Sequence, residues 1–260
     1  MSMRPQNGAP MSKIHLMSLV LLVGLVGVAT PGLAHAEDVI DHDSFDQLLG
    51  KYVNKRGMVA YKKLAANKDD RRKLDAYLEQ ISKAEPKGKG RKAKLAFYIN
   101  AYNAYVIDAV LDNSIPKSVM DVDGFFKKAK HGVAGKELTL DALENKIIRP
   151  QFKDARVHFV LVCAAKSCPR LRKKAMTEKN VNAQLRKAAV ELVNRDTKLV
   201  DGAVQTSQLF NWFAADFEHD EKSVREYLAK YARDEKLGEA LASPEVQIKF
   251  ADYSWKLNKQ

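Results

Sequence analysis

The chain has 260 residues and only two cysteines, Cys163 and Cys168, both within "VHFVLVCAAKSCPRLR". Two cysteines with no histidine pair beside them do not complete a tetrahedral zinc site. No metal and no cofactor is therefore expected. The chain also lacks a glycine-rich phosphate loop, a G-x-S-x-G elbow and an H-E-x-x-H pair. These absences remove the usual nucleotide-binding, serine-hydrolase and zinc-protease signatures. Beyond Ala36 no apolar run is long enough to span a bilayer. No internal repeat and no low-complexity tract is present.

One long apolar run does occur, near the start. Lys13 precedes "IHLMSLVLLVGLVGVAT", and "GLAHA" places Ala34 and Ala36 at the spacing of an A-x-A cleavage site. That order of basic, apolar and small residues predicts an export signal over residues 1–36, cut before Glu37, rather than a retained anchor. No cysteine follows the run, so a lipid anchor is not expected. The exported chain is then periplasmic if the host has an outer membrane, and secreted otherwise.

Without Arg4 and Lys13 the chain keeps 42 basic and 32 acidic residues, a net charge of +10. For an exported protein this surplus points away from nucleic acid. It points towards envelope phosphates, anionic headgroups or acidic polymers, or simply a soluble basic surface.

The remaining residues read as one α+β domain, with a helical segment and basic loop over 37–91 and a core over 92–260. A small mixed sheet with a buried central strand is expected, packed by several helices. "KLAFYINAYNAYVIDAVLDN" is apolar nearly all round, the mark of a buried helix. "FFKKAKHGVAGKELTL" reads as two short strands about a glycine-bearing turn. Thr139 caps a following helix, "LDALENKIIR", which Pro150 is expected to stop. "RVHFVLVCAA" reads as the central strand, covered on both faces. Further helices are expected in "NVNAQLRKAAVELVN", "SQLFNWFAADF" and "EKSVREYLAKYA", and a strand-like arm in "EVQIKFADYSWKLN".

The strand reading constrains the chemistry. On a regular strand His158 and Cys163 point to opposite faces, roughly 16 Å apart along the chain. They cannot form a local imidazole–thiolate pair. A base for either thiol must come from elsewhere, and His131, beside the glycine-bearing turn, is the preferred candidate among His42, His131 and His219. Cys168 could sit at a helix mouth, where the dipole lowers a thiol pKa. In an oxidising compartment, however, a Cys163–Cys168 disulfide is the default, pinning a loop that also holds Ser167 and Pro169.

Asn100 and Asn103 lie three apart on one face of the buried helix. Buried amides must find hydrogen-bond partners, so they either tie the helix to a loop or line a ligand pocket. Glu144 and Arg149 form an ion pair or serve the same pocket. Trp212 and Trp255 read as core or interface aromatics.

The motifs "LAFYINAYNAYVI", "GKELTLDALENKIIR", "RVHFVLVCAAKSCPRLR", "LFNWFAADF" and "FADYSWKLN", taken in order, resemble the DUF547 family over roughly residues 92–258. Ala164 stands where the family pattern favours glycine, and "DYSW" replaces "YDW". The resemblance implies a mixed α and β domain with a distant relation to papain-like or transglutaminase-like folds. It places the family's motif residues at Asn100, Asn103, Glu144, Arg149, His158, Cys163, Ser167, Cys168 and Pro169. Two functions follow as expectations. One is a disulfide-stiffened envelope binding or scaffold module that meets an anionic component or a small ligand. The other is a cysteine-dependent acyl hydrolase or transferase, with Cys163 or Cys168 as nucleophile and His131 or His158 as base.

Overall fold

The helix Arg91–Asp112 (α4) sits at the centre of the structure, a computed structural model that describes residues 37–260. The export signal expected over residues 1–36 lies outside the described residues. Positions from Ala93 to Val110 are buried on every side of α4, as its all-round apolar sequence requires. Three helices precede it, Asp43–Tyr52 (α1), Tyr61–Ala66 (α2) and Lys68–Lys83 (α3). In α1, Phe45, Leu48, Leu49 and Tyr52 recur at helical spacing and face the core. Asn67 caps α3 by accepting a 3.0 Å bond from the Asp70 amide.

Strands β1 (His131–Val133) and β2 (Lys136–Leu138) form the expected antiparallel hairpin. Ala134 and Gly135 both take positive φ at its turn, 51° and 72°, as a type I′ hairpin demands. Thr139 then caps Leu140–Ala142 (α5), accepting from the Ala142 amide at 3.0 Å. The helix does not stop at Pro150. It widens into a π turn over Leu143–Ile148 and continues as Arg149–Phe152 (α6). Proline has no amide to donate and its ring crowds the preceding turn. The wider turn relieves both, with the Arg149 amide bonded to the Glu144 carbonyl.

The larger correction concerns residues 155–165. They do not form a central strand. Ala155–Phe159 is a 3₁₀ turn, started by Asp154 accepting from the Arg156 amide at 3.1 Å, and an irregular buried segment follows it. Among the described residues its one bridge is at its far end, Ala165 to Leu257 of the closing arm. In its middle two backbone groups are paired by Asn103, which donates to the Val160 carbonyl at 2.9 Å and accepts from the Val162 amide at 2.9 Å. Asn100 does the same for both backbone groups of Met176, at 2.8 and 2.9 Å. A buried backbone must be paired, and here two side-chain amides on α4 replace a sheet.

The second half contains Val181–Asp196 (α7), which packs on α4, then strands β3 (Lys198–Val200) and β4 (Ala203–Thr206). Their turn is Asp201–Gly202, with φ of 49° and 74°. Helices Leu209–Trp212 (α8), Ala214–Asp220 (α9), Val224–Tyr231 (α10) and Glu235–Ala242 (α11) follow. Strand β5 (Ile248–Phe250) then runs parallel to β4. The fold is α+β, with one two-stranded and one three-stranded sheet. Beyond β5 the arm continues as separate bridges, Lys256 to Ser118, Leu257 to Ala165 and Lys259 to Val59. It stitches the cysteine loop to the N-terminal helices. Among the described residues no helix is long and apolar enough to cross a membrane.

Candidate functional site

A cavity of 230 Å³ opens where the irregular segment, the π turn, α8 and the closing arm meet. Its walls include Tyr102 from α4, Glu144 from the π turn, His158 from the 3₁₀ turn, Leu161, Cys163 and Cys168 from the irregular segment and its loop, Trp212 and Phe213, and Tyr253 and Trp255 from the arm. His158 and Cys163 therefore share one cavity. The expectation that they lie on opposite faces fails because its premise, a regular alternating strand, fails.

Cys163 and Cys168 are joined in a disulfide with Cα atoms 6.3 Å apart. Neither sulfur is a free nucleophile in this state. Cys163 is half-buried, while Cys168 is buried. The Cys163 amide donates to Cys168 Sγ at 3.0 Å, and the Tyr253 hydroxyl lies 3.2 Å from Cys168 Sγ and 3.3 Å from Cys163 Sγ. No helix begins at Cys168, since the next one starts at Val181, so the expected helix-mouth setting is absent. His131 does not approach either sulfur. It lies on β1 with its ring 4.6 Å from that of Tyr105, and is not part of this cavity.

His158 is buried between two carboxylates. Its Nε2 lies 2.7 Å from Asp216 Oδ2, and its ring stacks on Phe213 at 3.8 Å. Its Nδ1 faces Glu144 Oε1 at 3.8 Å, too far for a hydrogen bond, and has no other partner. Burial lowers the His158 pKa, with Asp216 opposing. A neutral imidazole that donates from Nε2 to Asp216 leaves the Nδ1 lone pair aimed at Glu144.

Arg149 grips the same aspartate in bidentate fashion, with Nε to Oδ2 at 2.7 Å and Nη2 to Oδ1 at 3.0 Å. Its guanidinium also lies over the Phe213 ring, 5.0 Å from the centroid. Burial by itself would raise the Asp216 pKa, but the bonds from His158 and Arg149 outweigh it and hold the carboxyl well below its ordinary value. Glu144 behaves oppositely. Burial pushes it up to about 7, opposed by the charge of Arg149 and by the Tyr102 hydroxyl. The expected Glu144–Arg149 pair is thus an indirect one, since the hydrogen bonds of Arg149 go to Asp216 and Asn145. Near neutrality Asp216, behind His158, is ionised while Glu144 on the cavity wall is only partly so, an arrangement suited to moving a proton.

The remaining candidates fall elsewhere. Asn100 and Asn103 spend their amides on the backbone and lie behind the cavity wall. Ser167 pairs with Ser254 through both its amide and its hydroxyl, at 3.2 and 2.9 Å, fastening the cysteine loop to the arm. Asp216, Tyr253 and Tyr102 escaped the sequence reading. Asp216 did carry a signal, as an acid within the apolar "LFNWFAADF". Trp212 and Trp255 line the cavity rather than fill the core. Trp212 is 46% exposed and stacks on Trp255 at 5.9 Å.

Residues 86–193 match the family model described as "Protein of unknown function, DUF547". That segment is similar to the DUF547 family. It carries Asn100, Asn103, Glu144, Arg149, His158 and both cysteines, while Asp216, Trp212, Tyr253 and Trp255 come from beyond it. The DUF547 match therefore spans one side of the cavity. No curated protein and no solved structure matches the chain.

A basic groove lies on another face. Lys55, Arg170, Arg172, Lys173, Lys174 and Lys187 line it, with Glu191 between Arg170 and Arg172 at 2.7 and 2.8 Å. Among the described residues no cluster of His, Cys, Asp and Glu is arranged to hold a metal ion.

Proposed function

We propose that this domain is an exported, disulfide-stiffened binding module whose cavity takes a small ligand with an apolar ring face and hydrogen-bonding edges, of the sugar-ring class. The observation that carries the reading is the stacked Trp212–Trp255 pair over a cavity braced by the Cys163–Cys168 bridge. Aromatic faces receive the C–H face of a ring, and Glu144, neutral for much of the range below about 7, offers a hydrogen bond without a charge penalty. The basic groove at Arg170 and Lys173 suits the anionic groups of an envelope polymer to which such a ring belongs. The leader-like sequence and the bridge both support an oxidising compartment.

Tryptophan fluorescence tests it. Titration with short envelope glycans is expected to saturate, and Trp212→Ala is expected to abolish the signal change and the binding seen by calorimetry. Saturation that persists in Trp212→Ala, or none with any glycan, overturns the reading.

Acyl transfer from a cysteine is the second reading, favoured by the shared cavity of Cys163 and His158. It requires the bridge to be open. Rapid alkylation of one thiol at neutral pH in reduced protein, with turnover of an activated ester, is its test.

A further inference from the structure

The two sulfurs of the bridge sit in unequal surroundings. Both cysteines line the cavity, but Cys163 is only half-buried whereas Cys168 is 6% exposed. The Cys163 amide donates to the buried sulfur at 3.0 Å, and the Tyr253 hydroxyl donates to it at 3.2 Å while lying 3.3 Å from Cys163 Sγ. A bridge that only staples a loop needs neither a more open approach to one sulfur nor an amide donor held on the other. We propose that the Cys163–Cys168 bridge is a redox-active pair that exchanges with thiols entering the cavity, with Cys163 as the sulfur attacked and Cys168 as the leaving group.

The step follows from ordinary exchange chemistry. A thiolate from a small thiol, or from a cysteine side chain of a partner, attacks Cys163 Sγ. The Cys163–Cys168 bond breaks and its electron pair departs on Cys168 Sγ, leaving a mixed disulfide on Cys163. A second thiolate attacks the incoming sulfur of that mixed disulfide and frees Cys163 as a thiolate. Two thiols are oxidised to one disulfide, and the bridge is reduced to two thiols. Exchange is faster when the departing thiolate is better stabilised. The amide and phenol hydrogens supply that stabilisation to Cys168 in place of water. Glu144, on the same cavity wall, can take the proton of an arriving thiol. The inference shares the cavity with the sugar-binding reading but does not depend on it.

The test uses reduced glutathione on the purified native protein at neutral pH, read by alkylation and mass. The bridge is expected to open without denaturant. The Cys168→Ser variant, treated with oxidised glutathione, is expected to hold a glutathione adduct on Cys163. Tyr253→Phe removes one charge-assisted donor and is expected to slow opening roughly ten-fold, while its secondary structure by circular dichroism stays that of the parent. Opening only under denaturant, an unchanged rate in Tyr253→Phe, or faster adduct formation on Cys168 in Cys163→Ser than on Cys163 in Cys168→Ser overturns the proposal. Should the serine variants fail to fold, the opening kinetics of the parent and of Tyr253→Phe still decide it. Exchange without glycan binding counts against the sugar reading alone, and glycan binding without exchange counts against this one alone.

Discussion

His158 and Asp216, 58 residues apart in sequence, meet at 2.7 Å through the same carboxylate oxygen that Arg149 Nε holds at 2.7 Å. This contact joins the 3₁₀ turn at 155–159 to α9 and to the start of α6. Asp216→Ala leaves a buried imidazole and a half-buried guanidinium without their acceptor. The expected cost is about 3 kcal/mol, with Asp216→Asn losing less because it keeps one oxygen acceptor. Urea unfolding at neutral pH measures both. Equal costs for the two variants would show that the oxygen Asn retains contributes nothing and that the whole loss lies in the charge and the second oxygen, against the expected order.

Glu144 gives the domain a pH signature. Its ordinary value of 4.5 rises to about 7 in the folded protein, so between these values the native state holds a proton that the unfolded chain has released. Its contribution is fully present below pH 4.5 and fades as pH rises towards 7. His158 has the opposite sign. Its pKa falls below 6.5 on burial, so its contribution is present above 6.5 and fades on acidification. Glu144→Gln isolates the first effect. Its stability relative to the parent is expected to rise by on the order of 2 kcal/mol between pH 4.5 and 8, measured by denaturation at a series of pH values. A difference that does not vary with pH sinks the assignment.

Asn100 and Asn103 are expected to separate stability from cavity shape. Alanine at either position strands one buried carbonyl and one buried amide, at a cost of about 3 kcal/mol each. Asn103 holds the backbone on either side of Leu161 and just before Cys163, both of which line the cavity, whereas Met176 does not. Tryptophan emission and glutathione opening should therefore change in Asn103→Ala and remain near the parent values in Asn100→Ala.

Ala164 carries a left-handed backbone, φ 60°, at a fully buried position. Glycine relieves that strain but loses a buried methyl and loosens the unfolded chain. Ala164→Gly is expected to be neutral within about 0.5 kcal/mol. Ala101→Gly, equally buried but inside α4, is expected to cost about 2 kcal/mol. Thermal unfolding of the pair checks the contrast, and an equal loss at both sites would remove the role given to φ.

The legible parts of the sequence were those that local chemistry decides. The all-round apolar stripe of α4, the Thr139 cap, and the Ala134–Gly135 turn each follow from a few adjacent residues. The Asp201–Gly202 hairpin was equally readable from "KLVDGAVQT", since Asp-Gly between alternating apolar residues is a strong turn signal. It was passed over. The segment at 155–165 was not readable locally. Its apolar alternation is that of a strand, and only the remote Asn103 amide, meeting Val160 and Val162 from 57 and 59 residues away, provides an alternative to a sheet. Pro150 misled for a related reason, because the π turn absorbs the lost amide bond. The cavity was half visible: Glu144, His158 and the cysteines were singled out, but their partners Asp216 and Tyr253 are brought in by long-range packing that spacing does not encode.

The arm that supplies Tyr253 and Trp255 has a consequence for how this protein is made. A nascent chain that has emerged only as far as Ala242 holds Glu144, His158 and both cysteines but lacks the phenol and indole that complete the wall beside them. The helices can collapse around α4 at that stage, while the sulfurs are still open to any oxidant. The order of oxidation and arm docking then decides whether the bridge closes in the open or beneath a hydroxyl already in place.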